Sequence, residues 1–126
     1  MNQIDPYTAN SIECRDWLAE HDQWHRIEPA NQWRTQDEWW RYTVSAEHGG
    51  RTWCIHPFRD TLDDAFKALP KAMFNLCIRQ DYCDGKLVGW VAGANTDTRR
   101  FDLPGPDPLT AVYRLVVAYW AWQSEA

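Results

Sequence analysis

The chain has little positive charge and no concentrated run of it. Its 126 residues carry 13 Lys and Arg against 18 Asp and Glu, a formal net charge of −5, and no basic run exceeds the pair Arg99 and Arg100. Proteins that bind duplex DNA neutralise backbone phosphates with clustered Lys and Arg. The sequence therefore predicts that duplex nucleic acid is not the partner.

The sequence also lacks long apolar runs. No stretch approaches the roughly 18 residues of a membrane span, and the opening residues MNQIDPYTAN lack the basic and apolar regions of a signal peptide. We therefore expect a cytoplasmic protein of the host cell, without a membrane partner and with reduced cysteines. None of the spacings between Cys14, Cys54, Cys77 and Cys83 is the CxxC of a redox or zinc site.

Catalytic motifs are equally scarce. With six glycines, the chain has no phosphate-binding loop of the GxGxxG or Walker type. The densest acidic group, Asp60, Asp63 and Asp64, falls in the first turn of a predicted helix, where the helix dipole alone favours acids. Cys54 and His56 alternate on a predicted strand, but no third orienting group or oxyanion site is indicated. We predict no catalytic residues, no cofactor and no enzymatic activity.

A zinc site assembled from distant residues is the remaining metal hypothesis. His21 and His25 share one face if the first helix extends far enough. Cys77 and Cys83 flank a predicted turn. Cysteines are also readily buried as small apolar side chains, and no pair has the spacing of a zinc finger, so we predict no metal site. The candidates are His21, His25, Cys54, His56, Cys77 and Cys83.

A capping box predicts the first helix. Asn10 stands at the cap and Glu13 three residues further on, so that each side chain can bond the other's backbone N–H. The helix is predicted from Ser11 to about His21. Its predicted apolar side consists of Ile12, Trp17 and Leu18.

Two more helices are predicted further along the chain. The segment RDTLDDAFKALP contains a short helix capped by Asp60 or Thr61. The last helix follows the loop LPGPDP, is capped by Asp107, opens at Pro108 and runs to about Trp122. Its apolar stripe is wide enough to require cover on more than one side. The stripe consists of Leu109, Val112, Tyr113, Val116 and Trp120, widened by Leu115, Val117 and Tyr119.

Two hairpins and one further strand are predicted between these helices. The first hairpin runs from about Trp40 to Ile55, reverses at His48, Gly49 and Gly50, and follows a helical turn begun by Thr35 and Glu38. The second hairpin turns at Asp84 and Gly85, and a third strand lies near Arg100 to Leu103. The flanking strands of the second hairpin are indicated by Phe74, Leu76 and Ile78 and by Leu87 to Val91.

These elements predict one α+β domain over residues 1–126, with helices packed on a small antiparallel sheet. Their order resembles the phage ABA sandwich domain family of small bacteriophage and prophage proteins. The resemblance covers about half of the chain: aromatic and polar residues leading into DTLDDAFKALP, a hairpin with Phe74 and Trp90, and a closing helix within DPLTAVYRLVVAYW. It implies helices on a small antiparallel sheet and a phage origin, and brings no catalytic residues.

The sequence departs from that family in two places. Bulky Tyr113, Tyr119 and Trp120 replace small residues in the last helix, and the Trp-rich segment from Trp24 to Trp53 has no family counterpart.

Tryptophan is the compositional outlier, with nine residues beside five Tyr and four Phe. Most of them are expected to fill the core. Between residues 33 and 53, however, Trp alternates with Arg, and both are enriched at the hot spots of protein interfaces. The predicted partner-binding residues are Trp33, Arg34, Trp39, Trp40, Arg41, Arg51 and Trp53.

Three functional hypotheses follow. The first is a phage-encoded protein that acts stoichiometrically by occupying a host protein, such as a bacterial defence complex of the CRISPR type. The second is a protein that sequesters a nucleotide or other small molecule in an aromatic pocket. The third is a zinc-stabilised domain. Self-association through the aromatic segment, as a homodimer, is a further alternative.

Overall fold

In a computed structural model, residues 3–22, 24–27, 39–42, 53–54 and 58–125 are described, the strands between 24 and 54 by their backbone alone. These residues form helices and antiparallel strands, which confirms the predicted α+β fold. The elements, in chain order, are α1 (Ser11–His21), β1 (Trp24–Ile27), β2 (Trp39–Tyr42), β3 (Trp53–Cys54), α2 (Leu62–Lys67), β4 (Phe74–Cys83), β5 (Lys86–Asn95), β6 (Arg100–Gly105) and α3 (Pro108–Glu125).

Helix α1 has the predicted bounds and the predicted capping box. The Glu13 N–H donates to Oδ1 of Asn10 at 2.8 Å, and the Asn10 N–H donates to Oε1 of Glu13 at 3.2 Å. The prediction of Ile12 on the apolar side was wrong, because its side chain is 60 % exposed. The buried stripe instead follows the helical spacing of Cys14, Trp17 and Leu18, together with Ala19.

Helices α2 and α3 also begin at predicted caps. Thr61 accepts from the Asp64 N–H at 3.2 Å at the start of α2, and the Asp107 carboxylate accepts from the Thr110 N–H at 2.7 Å at the start of α3. Helix α3 continues three residues past the predicted end at Trp122. Its residues from Thr110 to Tyr119 are buried except Arg114, which confirms that the helix is covered on more than one side.

The first sheet has the order β1-β2-β3 and is antiparallel throughout. The pairing of β2 with β3, with Trp40 opposite Cys54, confirms that the two ends of the first predicted hairpin pair antiparallel. Its predicted turn at residues 48–50, and the helical turn predicted near residues 35–38, lie outside the described residues. Strand β1 was not predicted; it pairs with β2 so that Trp24 lies opposite Tyr42.

The second sheet has the order β4-β5-β6, and its hairpin turns at the predicted Asp84 and Gly85. Both turn residues have positive φ (52° and 76°), as a two-residue hairpin turn of type I′ requires. Strand β6 extends to Gly105, so Pro104 and Gly105 are strand residues and the prediction of a loop there was wrong. Proline is tolerated because β6 is an edge strand of this sheet. In an edge strand, every second N–H points away from the neighbouring strand, and proline at such a position costs no hydrogen bond.

The core lies between this second sheet and the helices. Helix α3 packs across β5 and β6 and contacts α1 and α2 on its other sides. Gly105 permits the close approach: a Cβ added there would lie 2.6 Å from the backbone nitrogen of Ala111. The largest fully buried side chains are Tyr113, Leu103, Leu115, Val112, Val116, Val117 and Cys14.

Candidate protein-binding surface

The distal half of the β4–β5 hairpin, residues 79–88, is exposed along its whole length. We call this segment the arm. In a strand, successive side chains point to opposite faces, so uninterrupted exposure means that neither face of the arm is covered. Farther along β5, Ala92, Gly93 and Ala94 are all buried. The hairpin is therefore anchored at one end and projects from the helices at the other.

Three large apolar side chains lie on the arm and form what we call the arm tip: Tyr82, Leu87 and Val88. They are 56 %, 50 % and 58 % exposed, respectively. Tyr82 pairs with Leu87 across the two strands, and Val88 is the extra residue of a bulge at that point in β5. Contiguous exposed apolar side chains rimmed by polar groups are typical of interaction sites. Asp84 and Lys86 supply such a rim at the turn.

The position of α3 explains why the arm is uncovered. Cross-strand pairs share a face, and the register places Trp90 opposite both Gln80 of β4 and Gly105 of β6. Gly105 packs against α3, so this is the helix-covered face, and Tyr82 continues it past Gln80. The Tyr82 hydroxyl donates to Oε1 of Gln80 at 2.7 Å. The cover provided by α3 thus reaches the middle of the sheet and stops before the arm tip.

The opposite face of the sheet carries a network of charged side chains. Asp102 accepts from Arg100 at 3.1 and 3.2 Å and lies 3.5 Å from Nη1 of Arg79. Arg100 also donates to Oδ1 of Asn95 at 3.2 Å. This network lies across Gly93, where an added Cβ would come within 2.3 Å of Asp102. These ion pairs are solvent-exposed, and each contributes about 0–1 kcal/mol to stability. The network therefore makes this face polar but adds little to the stability of the sheet.

The predicted partner-binding residues fall mostly beyond what the structure describes. Trp33, Arg34 and Arg51 lie outside the described residues, and the others are placed by backbone alone. Arg41 of β2 and Trp53 of β3 are direct cross-strand partners. The remaining two predicted residues, Trp39 and Trp40, are neighbours on β2 and pair with Ile27 and Arg26 of β1.

The structure describes four tryptophan side chains, which range from buried to half-buried. Trp17 is buried, and Trp120 and Trp122 pack against the core from α3. Trp90 is half-buried on β5, within the hairpin where it was predicted.

The candidate zinc ligands are placed differently from the prediction. Helix α1 ends at His21, so His25 lies on β1 and does not share a helical face with it. The His21 ring stacks on Trp17 with a centroid distance of 5.1 Å, and its centroid lies 5.4 Å from the tilted ring of Trp120. Cys77 and Cys83 do not flank a turn, because β4 is longer than predicted and contains both.

No group of three or more His, Cys, Asp or Glu positioned to hold a metal occurs within the described ranges. Of the other candidate ligands, His25 and Cys54 are placed by their backbone alone, and His56 lies outside the described residues.

The acidic group near α2 serves the helix start. Thr61 donates its hydroxyl to the Asp64 carboxylate, and Asp60 lies 3.8 Å from Nη1 of Arg15. Asp63 lies in the first turn of α2, where acids interact favourably with the helix dipole. The contacts of Asp60 and Asp64 and the position of Asp63 give each of the three carboxylates a structural role.

The arm tip was not predicted from the sequence as a site. Its signals were present: a two-residue Asp-Gly turn flanked by apolar residues on both strands. A strand pattern does not show which residues an overlying helix leaves uncovered, since that depends on where α3 crosses the sheet.

Comparisons with known proteins give no relative: no family model, no curated protein and no solved structure matches this chain. Within the described residues, no helix has the length and apolar character needed to cross a bilayer.

Proposed function

We propose that this chain is a protein-binding protein that acts stoichiometrically, docking on its partner through the arm tip. The observation that carries the proposal is the exposure of residues 79–88 on both faces, with Tyr82, Leu87 and Val88 at the end. Large apolar side chains on a projecting hairpin are unfavourably exposed to water in the free protein. A partner that covers them gains about 25 cal/mol of binding free energy per Å² of apolar area buried.

The chemistry of the arm favours a protein partner. The tip is apolar and its rim mixes charges of both signs, from Arg79, Asp81, Asp84 and Lys86. Protein interfaces have this arrangement of an apolar centre within a polar rim. A nucleic-acid site would instead need a surplus of Lys and Arg, whereas the chain carries a net charge of −5.

The more specific proposal is that the chain is encoded by a phage and occupies a host protein of a bacterial defence complex, such as a CRISPR effector. Its support is the resemblance to the phage ABA sandwich domain family, the small acidic chain and the order of helices and hairpins. The Trp and Arg residues between 33 and 53 form the second contact surface in this proposal. A protein that blocks a partner by occupancy needs no catalytic residues.

The test compares tagged chains in a bacterial host lysate by affinity capture and mass spectrometry. Val88→Asp places a charge on the arm tip, and Ile12→Asp is its matched control, since Ile12 is 60 % exposed on α1. We expect the unaltered chain and the Ile12 variant to capture one host protein in equimolar amount. The Val88 variant should capture about tenfold less of that protein. Circular dichroism of both variants checks that they are folded.

A second matched pair repeats the comparison without adding charge. Tyr82→Ala removes an arm-tip ring, whereas Tyr7→Ala removes a ring with similar exposure, 54 %, elsewhere on the surface. Equal capture by both members of each pair contradicts the arm-tip site. Recovery of a co-purified nucleotide in place of a protein supports the small-molecule hypothesis instead.

A further inference from the structure

Strand β4 has one unpaired edge within the described part of the chain. It pairs with β5 on one side, and its ten residues are exposed except for the half-buried Ile78. The register shifts at its two ends place the extra residues at Asn75, with φ 56°, and at Val88 of β5. Strand β4 is therefore regular from Cys77 to Cys83. A regular, exposed edge offers a row of N–H and C=O groups to another strand.

We infer that this edge pairs antiparallel with the same edge of a second copy of the chain, about a two-fold axis at Gln80. Residues directly opposite in an antiparallel pair lie on the same face of the sheet. Centring the pair on Gln80 places Arg79 opposite Asp81 of the second copy, and Asp81 opposite its Arg79. The symmetry thus produces two identical ion pairs on one face of a continuous six-stranded sheet.

Charge complementarity selects this register over its neighbours. Centring the axis on Arg79 places two arginines opposite each other, and centring it on Asp81 does the same with two aspartates. Like charges directly opposite across strands are destabilising. Asp81 has no ion-pair partner among the described residues, and Arg79 makes only the long 3.5 Å contact with Asp102. Both side chains are therefore available for the pairing.

The same register also matches the uncharged side chains. Ile78 lies opposite Tyr82 of the second copy on the helix-covered face, so two apolar side chains meet on each side of the axis. Cys77 lies opposite Cys83 of the second copy on the other face, and both thiols are free and exposed. Leu87 and Val88 lie on β5, one strand away from the axis. The inference goes beyond the proposed function, because it concerns the purified chain alone and requires no host protein.

The first test is the mass of the purified chain by sedimentation equilibrium under reducing conditions. We expect a monomer–dimer equilibrium for the unaltered chain. R79D places an aspartate opposite Asp81 of the other copy at both symmetric positions. The resulting repulsion should raise the dimer dissociation constant by about tenfold. The double variant R79D/D81R exchanges the charges and should restore dimerisation. A monomer at every concentration, or a dimer indifferent to R79D, overturns the inference.

The second test reports the register of the unaltered chain and requires no variant to fold. Mild oxidation with copper phenanthroline should give a disulfide-linked dimer on a non-reducing gel. Trypsin cleaves at Arg79 and so separates the peptide with Cys77 from the peptide with Cys83, and we expect the bridge to join these two peptides. The two cysteines of one chain are six residues apart on an extended strand, about 20 Å, and cannot bridge each other. Bridges between two Cys77 or between two Cys83 residues overturn the register.

These tests separate the two proposals. A dimer that Val88→Asp leaves intact, together with no host protein captured, rejects the proposed function and leaves the dimer in place. A monomer that captures a host protein through Val88 does the opposite.

Discussion

Arg114 of α3 donates from Nε to the carbonyl oxygen of Ala9 at 2.7 Å, a contact between residues 105 positions apart. The same guanidinium donates from Nη1 to the carbonyl oxygen of Pro104 at 2.8 Å. One side chain in the middle of α3 therefore holds the segment before α1 and the edge strand β6. The planar guanidinium can serve both acceptors at once because its donors are fixed in a fork.

Replacing this side chain should reduce stability without altering the arm. Arg114→Ala leaves the buried Ala9 carbonyl without its charged donor, and hydrogen bonds to charged groups contribute about 1.5–3 kcal/mol each. We expect the free energy of unfolding to fall by about 2–4 kcal/mol in urea titrations. Arg100→Ala is the control, since its bonds are solvent-exposed and should contribute less than about 1 kcal/mol. Equal losses for both variants contradict the bridging role.

Gly105 should tolerate no side chain, because the atoms in the way belong to a helix backbone. An added Cβ would lie 2.6 Å from the Ala111 nitrogen and 2.9 Å from its Cα. Gly105→Ala must displace the start of α3, and overpacking of this kind costs about 1–3 kcal/mol. At Gly93 the obstacles are the side chains of Asp102 and Arg100, which are exposed and can move. Thermal unfolding should therefore show a larger decrease in Tm for Gly105→Ala than for Gly93→Ala.

Stability should decline in alkaline solution, in part through Cys14. Burial raises the pKa of the Cys14 thiol from its usual 9.0 to about 12, opposed by nearby Arg114 and reinforced by Glu13. Because the folded pKa is the higher one, the contribution is complete below pH 9 and is lost as the pH rises towards 12. Burial also raises the pKa of Tyr113. Cys14→Ala should reduce the alkaline slope of the unfolding free energy without abolishing it; an unchanged slope contradicts this assignment.

The Asp107 cap offers a test of how α3 begins. Its carboxylate accepts from the Thr110 N–H at 2.7 Å, and its carbonyl oxygen accepts from the Ala111 N–H at 3.1 Å. Asp107→Ala removes the first of these bonds and should cost about 0.5–2 kcal/mol in urea unfolding. Asp107→Asn keeps an acceptor at the cap and should lose much less. Similar losses for the two variants indicate that the cap bond contributes little.

Local signals predicted most of the elements. The capping box of Asn10 with Glu13 and the Asp84-Gly85 turn are short-range patterns, and each occurs in the structure where it was predicted. Long-range pairing was less predictable. Strand β1 depends on its pairing with β2, and the strand character of Pro104 depends on its place at a sheet edge, which no local pattern reveals.

Exposure was the least predictable property, and the candidate site depends on it. Ile12, Phe74 and Leu76 have the spacing of buried residues yet are exposed. The arm tip was missed because the pattern of a strand does not show where α3 stops covering the sheet. The predicted Trp and Arg surface between residues 33 and 53 stays a prediction, since its side chains lie outside what the structure describes.

Pro104 limits how far the β4-β5-β6 sheet can assemble. This sheet has its other edge at β6, but Pro104 has no N–H to donate there, and its carbonyl oxygen already accepts from Arg114. Of the two edges of this sheet, as far as the chain is described, only β4 is therefore competent for strand addition. Once two copies join through β4, that edge is consumed in both copies. The proline thus makes pairing through this sheet self-terminating, a closed pair in place of an open fibre.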